Sequence, residues 1–234
     1  MKTCYTVIIG AYDDLKQPAF VSQHWKYICF TDQDLELPPD NVWEIVKIVP
    51  DPNLSNAKNA RRIKILFYEY IKTEFSLFID ATFYINCDLN RWWRRFQLPM
   101  TCVSHPFDDC IYTDVRSCMG GKKGDFFTLV RQTNDYRNIG IEEHKGLIAS
   151  GILMRQNTKE VRDICETWWS QVEEYTERDQ IAFGYAAFKH PGIFHTIRWN
   201  YQDPNIKEFL HVPHLHKLWR SVTEKHVLAK MKRR

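Results

Sequence analysis

Apolar residues in the first half of the chain come in short blocks bounded by turn residues, the pattern of strands buried on one or both faces. Tyr5-Thr6-Val7-Ile8-Ile9-Gly10 is the first block and runs into the turn Gly10-Ala11-Tyr12-Asp13-Asp14. Residues 25–32 form a second block closed by Asp32, and residues 42–49 alternate as a third until Pro50-Asp51-Pro52 stops it. Over residues 55–73 the spacing turns helical, with Ile63, Leu66, Phe67 and Tyr70 at i, i+3, i+4 and i+7. The run Ser76-Leu77-Phe78-Ile79-Asp80-Ala81-Thr82-Phe83-Tyr84-Ile85 follows, and it reads as a buried strand that ends where Asp80 emerges at the edge of a sheet.

The second half continues the alternation. Residues 88–96, rich in Trp and Arg, predict an amphipathic surface helix or an acceptor contact, and residues 100–105 predict another strand. Polar and titratable residues crowd into 105–114, and the glycines and lysines of 120–124 predict a mobile loop. Residues 146–155 approach a strand through two glycines. Asn157-Thr158-Lys159-Glu160 predicts a capping box ahead of a helix that buries Val161, Ile164, Trp168 and Val172. Asp179 is placed to cap a further helix over 181–188. Strands that end in ligand-capable turns and alternate with helices predict an α/β architecture. We expect a single domain over residues 1–234, with a mostly parallel central sheet flanked by helices.

Composition narrows the function classes. A formal charge of +3 on 234 residues is too small for bulk electrostatic capture of nucleic acid, so any basic role is local, as in the C-terminal end at about 220–234. That end predicts a peripheral contact with an anionic surface. The eight Trp, eleven Tyr and fourteen Phe exceed what a core requires and suit stacking on sugar rings. Seven cysteines without a C-x-x-C pair predict a reducing compartment. With no signal-like leader and no long apolar run, they predict a soluble, cytoplasmic protein.

Candidate chemistry gathers where the predicted strands end. A carboxylate at Asp80 calls for a metal ion, a sugar hydroxyl or a cation as partner. Small Gly10 and Ala11 let a ligand approach the backbone, Tyr12 is suited to stacking on a base, and Asp13 and Asp32 to accepting hydrogen bonds. Arg61 and Lys64, three apart on one helix, suit a diphosphate. His214 and His216 share one face of an extended segment and are candidate metal ligands, with the cation Lys217 beside them. For a general base the candidates are Asp179, Asp114 and Asp109.

Taken in order, Arg61-x-x-Lys64, the strand Leu77-Phe78-Ile79-Asp80, the block 105–114, the strand ending in Arg155, and Trp168 through Arg178-Asp179-Gln180 resemble a glycosyltransferase-like family. It is found in bacteria and in plant mucilage and turgor-regulation proteins. The resemblance spans roughly residues 5–190. It implies a GT-A type, Rossmann-like fold, a nucleoside-diphosphate sugar donor, UDP-linked, with Gln180 and Lys217 among the donor contacts, and a glycan or cell-envelope acceptor. In the wider group an Asp-x-Asp and a late His hold Mn²⁺ or Mg²⁺. Here the strand reads Asp80-Ala81-Thr82, lacking the second carboxylate, and His214-Leu215-His216-Lys217 echoes the late element. Two alternatives stand beside this reading: a non-catalytic nucleotide- or sugar-binding protein on the same fold, and a transferase acting on a polyanionic acceptor such as nucleic acid.

Overall fold

The computed structural model describes residues 1–120, 125–200, 203 and 207–212. Seven strands form the main sheet in the order β3-β2-β1-β4-β7-β6-β8: β1 (Lys2–Ile8), β2 (Trp25–Thr31), β3 (Glu44–Lys47), β4 (Phe75–Ile79), β6 (Met100–Ser104), β7 (Ile148–Gln156) and β8 (Phe194–Ile197). The pairs β1–β2, β1–β4, β2–β3 and β6–β8 are parallel, and only β7 runs against its neighbours β4 and β6. The expected mostly parallel α/β sheet is therefore present. Its helices are α1 (Asn56–Ile65), α2 (Phe67–Tyr70), α3 (Leu89–Trp93), α4 (Ile111–Gly120), α5 (Phe126–Asn138), α6 (Lys159–Glu174) and α7 (Asp179–Lys189). No helix among the described residues is long and apolar enough to cross a membrane.

Strand sequences read as near-continuous apolar runs because both faces of the sheet are covered. One face, carrying Tyr5, Phe30, Phe78 and Leu153, packs against Ile63 and Phe67 of α1 and α2 and against Val161, Ile164, Trp168 and Phe183 of α6 and α7. The other, carrying Cys4, Leu77, Ile79 and Met154, packs against Trp92 of α3 and a ribbon formed by β5 (Phe83–Ile85) and β9 (Phe209–His211). A third cluster, with Ile111, Val115, Leu129 and Tyr136, fills the space beneath α4 and α5. Cys4, Cys29, Cys102 and Cys165 are buried and form no disulfide, behaving as small hydrophobes.

Local sequence explains most boundaries, with three corrections to the sequence reading. The helix expected over 55–73 breaks at Leu66, where φ −84° and ψ 45° leave the helical region and α2 begins anew. The cap of α6 lies one residue later than the expected box: Thr158 accepts from Val161 N–H, so Val161, not Glu160, is the third helical residue. Asp179 is the first residue of α7, and its side chain caps nothing; Arg178 occupies the cap position without a side-chain bond. The 120–124 loop beyond Gly120 and the tail 213–234 lie outside the described residues.

Candidate functional site at the carboxyl edge of the sheet

At the carboxyl edge of β1 the chain turns through Gly10 and Ala11, both with positive φ (72° and 53°). Glycine is required at the first: a Cβ there would lie 2.1 Å from Asn56 Nδ2, at the start of α1. Asp32, at the end of β2, accepts from Gly10 N–H through both oxygens at 3.0 and 3.1 Å. Asp13 is bound by Lys16 at 3.2 Å, and Lys16 Nζ also donates to the Ala81 carbonyl at 2.5 Å. Lys16 thus ties the loop after β1 to the turn after β4. Tyr12 is exposed on that loop.

Asp80 stands at the end of β4. Its N–H donates to the Gly151 carbonyl, and its Oδ1 accepts from Thr82 N–H at 3.0 Å and Thr82 Oγ1 at 2.7 Å. The reversed β7 delivers its first residues, not its last, to this edge. Its register against β6 shifts between Cys102 and Val103, a bulge that re-aims Ser150 and Gly151. Gly151 has no room for a Cβ, which would meet Phe83 at 2.7 Å.

Behind Asp80 lies a buried ionic cluster. Lys64, 6 % exposed, contacts Asp179, 4 % exposed, at 2.5 Å. Ser150 Oγ donates to the same Asp179 oxygen at 3.0 Å, and Arg61 Nε stands 3.8 Å from the other. Burial alone would raise the Asp179 pKa, but Lys64, Arg61 and Arg178 together hold its carboxyl well below the usual carboxylate range. Burial depresses the Lys64 ammonium, against the attraction of Asp179 and Asp80. The close contact with Asp179 counters the burial of Lys64, and Lys64 in turn lowers the Asp179 pKa.

Arg178 extends the cluster. It lies 3.5 Å from Asp114 of α4 and donates to Gln180 Oε1 at 3.1 Å, while Gln180 Nε2 donates to the Ile148 carbonyl at 3.0 Å. His105, at the end of β6, accepts from Asp108 N–H on Nδ1 at 3.1 Å, which leaves its proton on Nε2; burial lowers its pKa, opposed by Asp114.

Beneath the cluster Arg155, fully buried, donates to the Ile65 carbonyl at 3.3 Å and to the Tyr5 hydroxyl, and stacks over Phe67 at 4.1 Å. Tyr5 in turn donates to the Lys64 carbonyl at 2.8 Å. The backbone at the α1 break, which carries Lys64, is therefore held from below.

The structure brings together Asp80, Arg61, Lys64 and Asp179, with Asp114 and Gln180 joined through Arg178. Asp32, Ala11, Tyr12 and Asp13 sit along the same edge. Asp109 is not part of this cluster: it pairs with His144 at 2.7 Å on the surface. Lys217, His214 and His216 lie outside the described residues. Sequence reasoning missed Ser150 and Lys16 at this edge, while His105 belonged to the polar block 105–114 that it singled out. Ser150 had a signal in its glycine-flanked position; Lys16 had none, because its bond to Ala81 spans 65 residues.

No group of three or more His, Cys, Asp or Glu side chains among the described residues is arranged to hold a metal ion. Asp80 alone, with one oxygen already accepting from Thr82, does not make a divalent-ion site.

No curated protein matches the chain. Among solved structures, the mannosyltransferase Ktr4p from S. cerevisiae matches with a TM-score of 0.45 at 12% identity, over 84% of this chain and 68% of that one. Residues 39–206, which hold Arg61, Lys64, Asp80, Arg155 and Asp179, match the TOD1/MUCI70 glycosyltransferase-like domain, and the protein belongs to that family.

Proposed function

We propose that the protein is a glycosyltransferase that moves a sugar from a nucleoside-diphosphate donor, UDP-linked, to a glycan or cell-envelope acceptor. The observation that carries this reading is the buried Lys64–Asp179–Ser150 cluster set directly behind Asp80 at the carboxyl edge of the sheet, where open α/β sheets bind ligands. Ala11 and the exposed Tyr12 on the turn after β1 face the nucleotide, with Tyr12 beside the base. Arg61, half-buried and only loosely engaged by Asp179, is the cation best placed for the departing diphosphate. Asp80, close enough for its charge to act on Lys64, accepts a sugar hydroxyl.

During transfer the bond from the anomeric carbon to the diphosphate oxygen breaks, and a bond from that carbon to the acceptor oxygen forms. The acceptor proton passes to the departing diphosphate. Asp179 is a poor base for that proton because its carboxylate is held so strongly in the ionised form; its role is to anchor Lys64 and Arg61. Asp114 is engaged by Arg178, and Asp109 by His144. Mn²⁺ or Mg²⁺ at Asp80 would draw its remaining ligands from His214 and His216, and no step above uses it.

The test is a thermal-shift screen of nucleoside diphosphates and their sugars, each with Mn²⁺ and with EDTA. A ligand at a hundredfold excess over Kd stabilises by about 2.7 kcal/mol. We expect a shift with UDP and a UDP-sugar that Arg61→Ala removes. No shift with any nucleotide would overturn the donor assignment. A shift without sugar transfer to any acceptor would favour the non-catalytic binding protein, which the single carboxylate at Asp80 also suits.

A further inference from the structure

A second hollow lies away from the Asp80 cluster. It encloses about 510 Å³ between α3, the end of β5 and the approach to β9, and is lined by Phe20, Asn86, Asp88, Arg91, Arg95 and Lys207, among others. That volume falls within the range of small-molecule sites. None of the residues assigned above to donor or chemistry lines it.

Its charges are unevenly committed. Asp88 caps α3 by accepting from Asn90 N–H at 2.9 Å. Glu208 is engaged by Arg95 at 3.1 Å and by Lys207 N–H at 3.2 Å. Arg95 in turn lies flat over Trp92 at 4.4 Å. Both carboxylates and one cation are thus spent within the protein. Arg91 and Lys207 have no ion-pair partner among the described residues, although Arg91 is near enough to act on the Cys87 thiol inside the hollow. Phe20, 53 % exposed, presents its ring at the rim. Two uncommitted cations beside an open aromatic face recognise a sugar ring bearing an acid group: the ring stacks while the cations hold the anion.

Position gives the hollow a role. Asp80 leads through Ala81 and Thr82 into β5, and Asn86, which follows β5, is the first residue of this segment to line the hollow. Phe83 N–H turns back onto the Asp80 carbonyl at 2.9 Å, and from Phe83 the strand covers about 10 Å to Asn86 at about 3.3 Å per residue, a length that a short oligosaccharide spans. The chain's own tail beyond residue 212 is rich in Lys and Arg and has the wrong charge for it.

We propose that this hollow is a distal acceptor subsite for an acidic sugar, its acid a carboxylate or a phosphate monoester. The inference rests on the transferase reading for its role, but its ligand chemistry is tested separately. The full chain is titrated calorimetrically with a hexuronic acid trisaccharide, a hexose 6-phosphate, a neutral hexose trisaccharide and inorganic phosphate. The same is done for Arg91→Ala, Lys207→Ala and Phe20→Ala, and the UDP thermal shift is read in parallel.

We expect an acidic sugar to bind, the neutral trisaccharide to bind at least tenfold more weakly, and each cation variant to lose about tenfold with its UDP shift unchanged. Phe20→Ala weakens the sugar but not inorganic phosphate. Which acidic sugar binds distinguishes carboxylate from phosphate. Equal binding of the neutral trisaccharide, unaltered affinity in both cation variants, inorganic phosphate as tight as the sugars, or no binding of either acidic sugar would overturn the proposal. Acid-sugar binding that follows these variants in a chain with no nucleotide shift would remove the transferase reading and leave the subsite standing.

Discussion

Asp179 and Lys64 show how much a single buried pair decides. Removing one partner leaves the other charge buried without compensation, so Asp179→Asn is expected to cost about 3–5 kcal/mol in urea unfolding. Replacing both, as Lys64→Met with Asp179→Leu, is expected to recover most of that loss while abolishing the nucleotide shift. The pH dependence has a definite sign. The Asp179 carboxyl is held lower in the folded than in the unfolded chain. Its stabilisation is therefore present above the unfolded value of about 4 and is lost as pH falls below it. Acid titration of stability should show this limb in the parent and a shallower one in Asp179→Asn. Tyr5→Phe removes the donor to the Lys64 carbonyl and a partner of Arg155, with an expected loss of about 1–3 kcal/mol by the same measurement. Sequence spacing put Arg61 and Lys64 on one helix and marked Asp179 and Asp80. It did not reveal that Lys64 is buried against Asp179, because that contact joins residues 115 apart and local periodicity carries no such information.

Among the elements, α1 has the most to do with the site, since it carries Asn56, Arg61 and Lys64. Its start is fixed by Ser55, whose hydroxyl accepts from Lys58 N–H at 3.1 Å. Ser55→Ala is expected to cost about 1 kcal/mol in denaturant unfolding. Its end is set by packing: Leu66 is buried, and Arg155 and Tyr5 take the carbonyls of residues 65 and 64. The sequence pattern showed the helix but not this break, because Ile63, Leu66, Phe67 and Tyr70 keep helical spacing straight across it. The capping box erred for a related reason: Asn157 and Thr158 are both good caps, and the Asn157 N–H donates instead to the Glu74 carbonyl beside β4. At the start of β7, Gly151→Ala should destabilise by more than about 1 kcal/mol, since Phe83 cannot retreat from the ribbon without disturbing β5.

At the level of the whole molecule, the apolar blocks identified β1, β2, β3, β4, β6 and β7, but they merged β5 into the run that ends β4 and left the direction of β7 open. A strand's side-chain alternation is the same whichever way it runs, so nothing in residues 146–155 announces that β7 is reversed. The reversal puts β7 between β4 and β6 at the middle of the sheet. Leu153→Ala there, at a fully buried position, is expected to cost about 2–5 kcal/mol and to lower the Tm of the whole cooperative unit.

The reversal has another outcome. The chain leaves the sheet at Ser104 and re-enters at Ile148, which is its register partner, and His105 N–H closes the neck on the Leu147 carbonyl at 2.8 Å. The described residues between, α4 and α5 among them, form an excursion that departs and returns through this doorway, and its apolar cluster also takes in Ile181 of α7. Closure entropy rises only slowly with loop length. Such an insert can therefore change in length without re-registering β6 against β7, at the carboxyl edge of the sheet. A change of length there would reach the carboxyl edge through the Arg178 contact with Asp114 and through the packing on Ile181 of α7, while the strand register stays as it is.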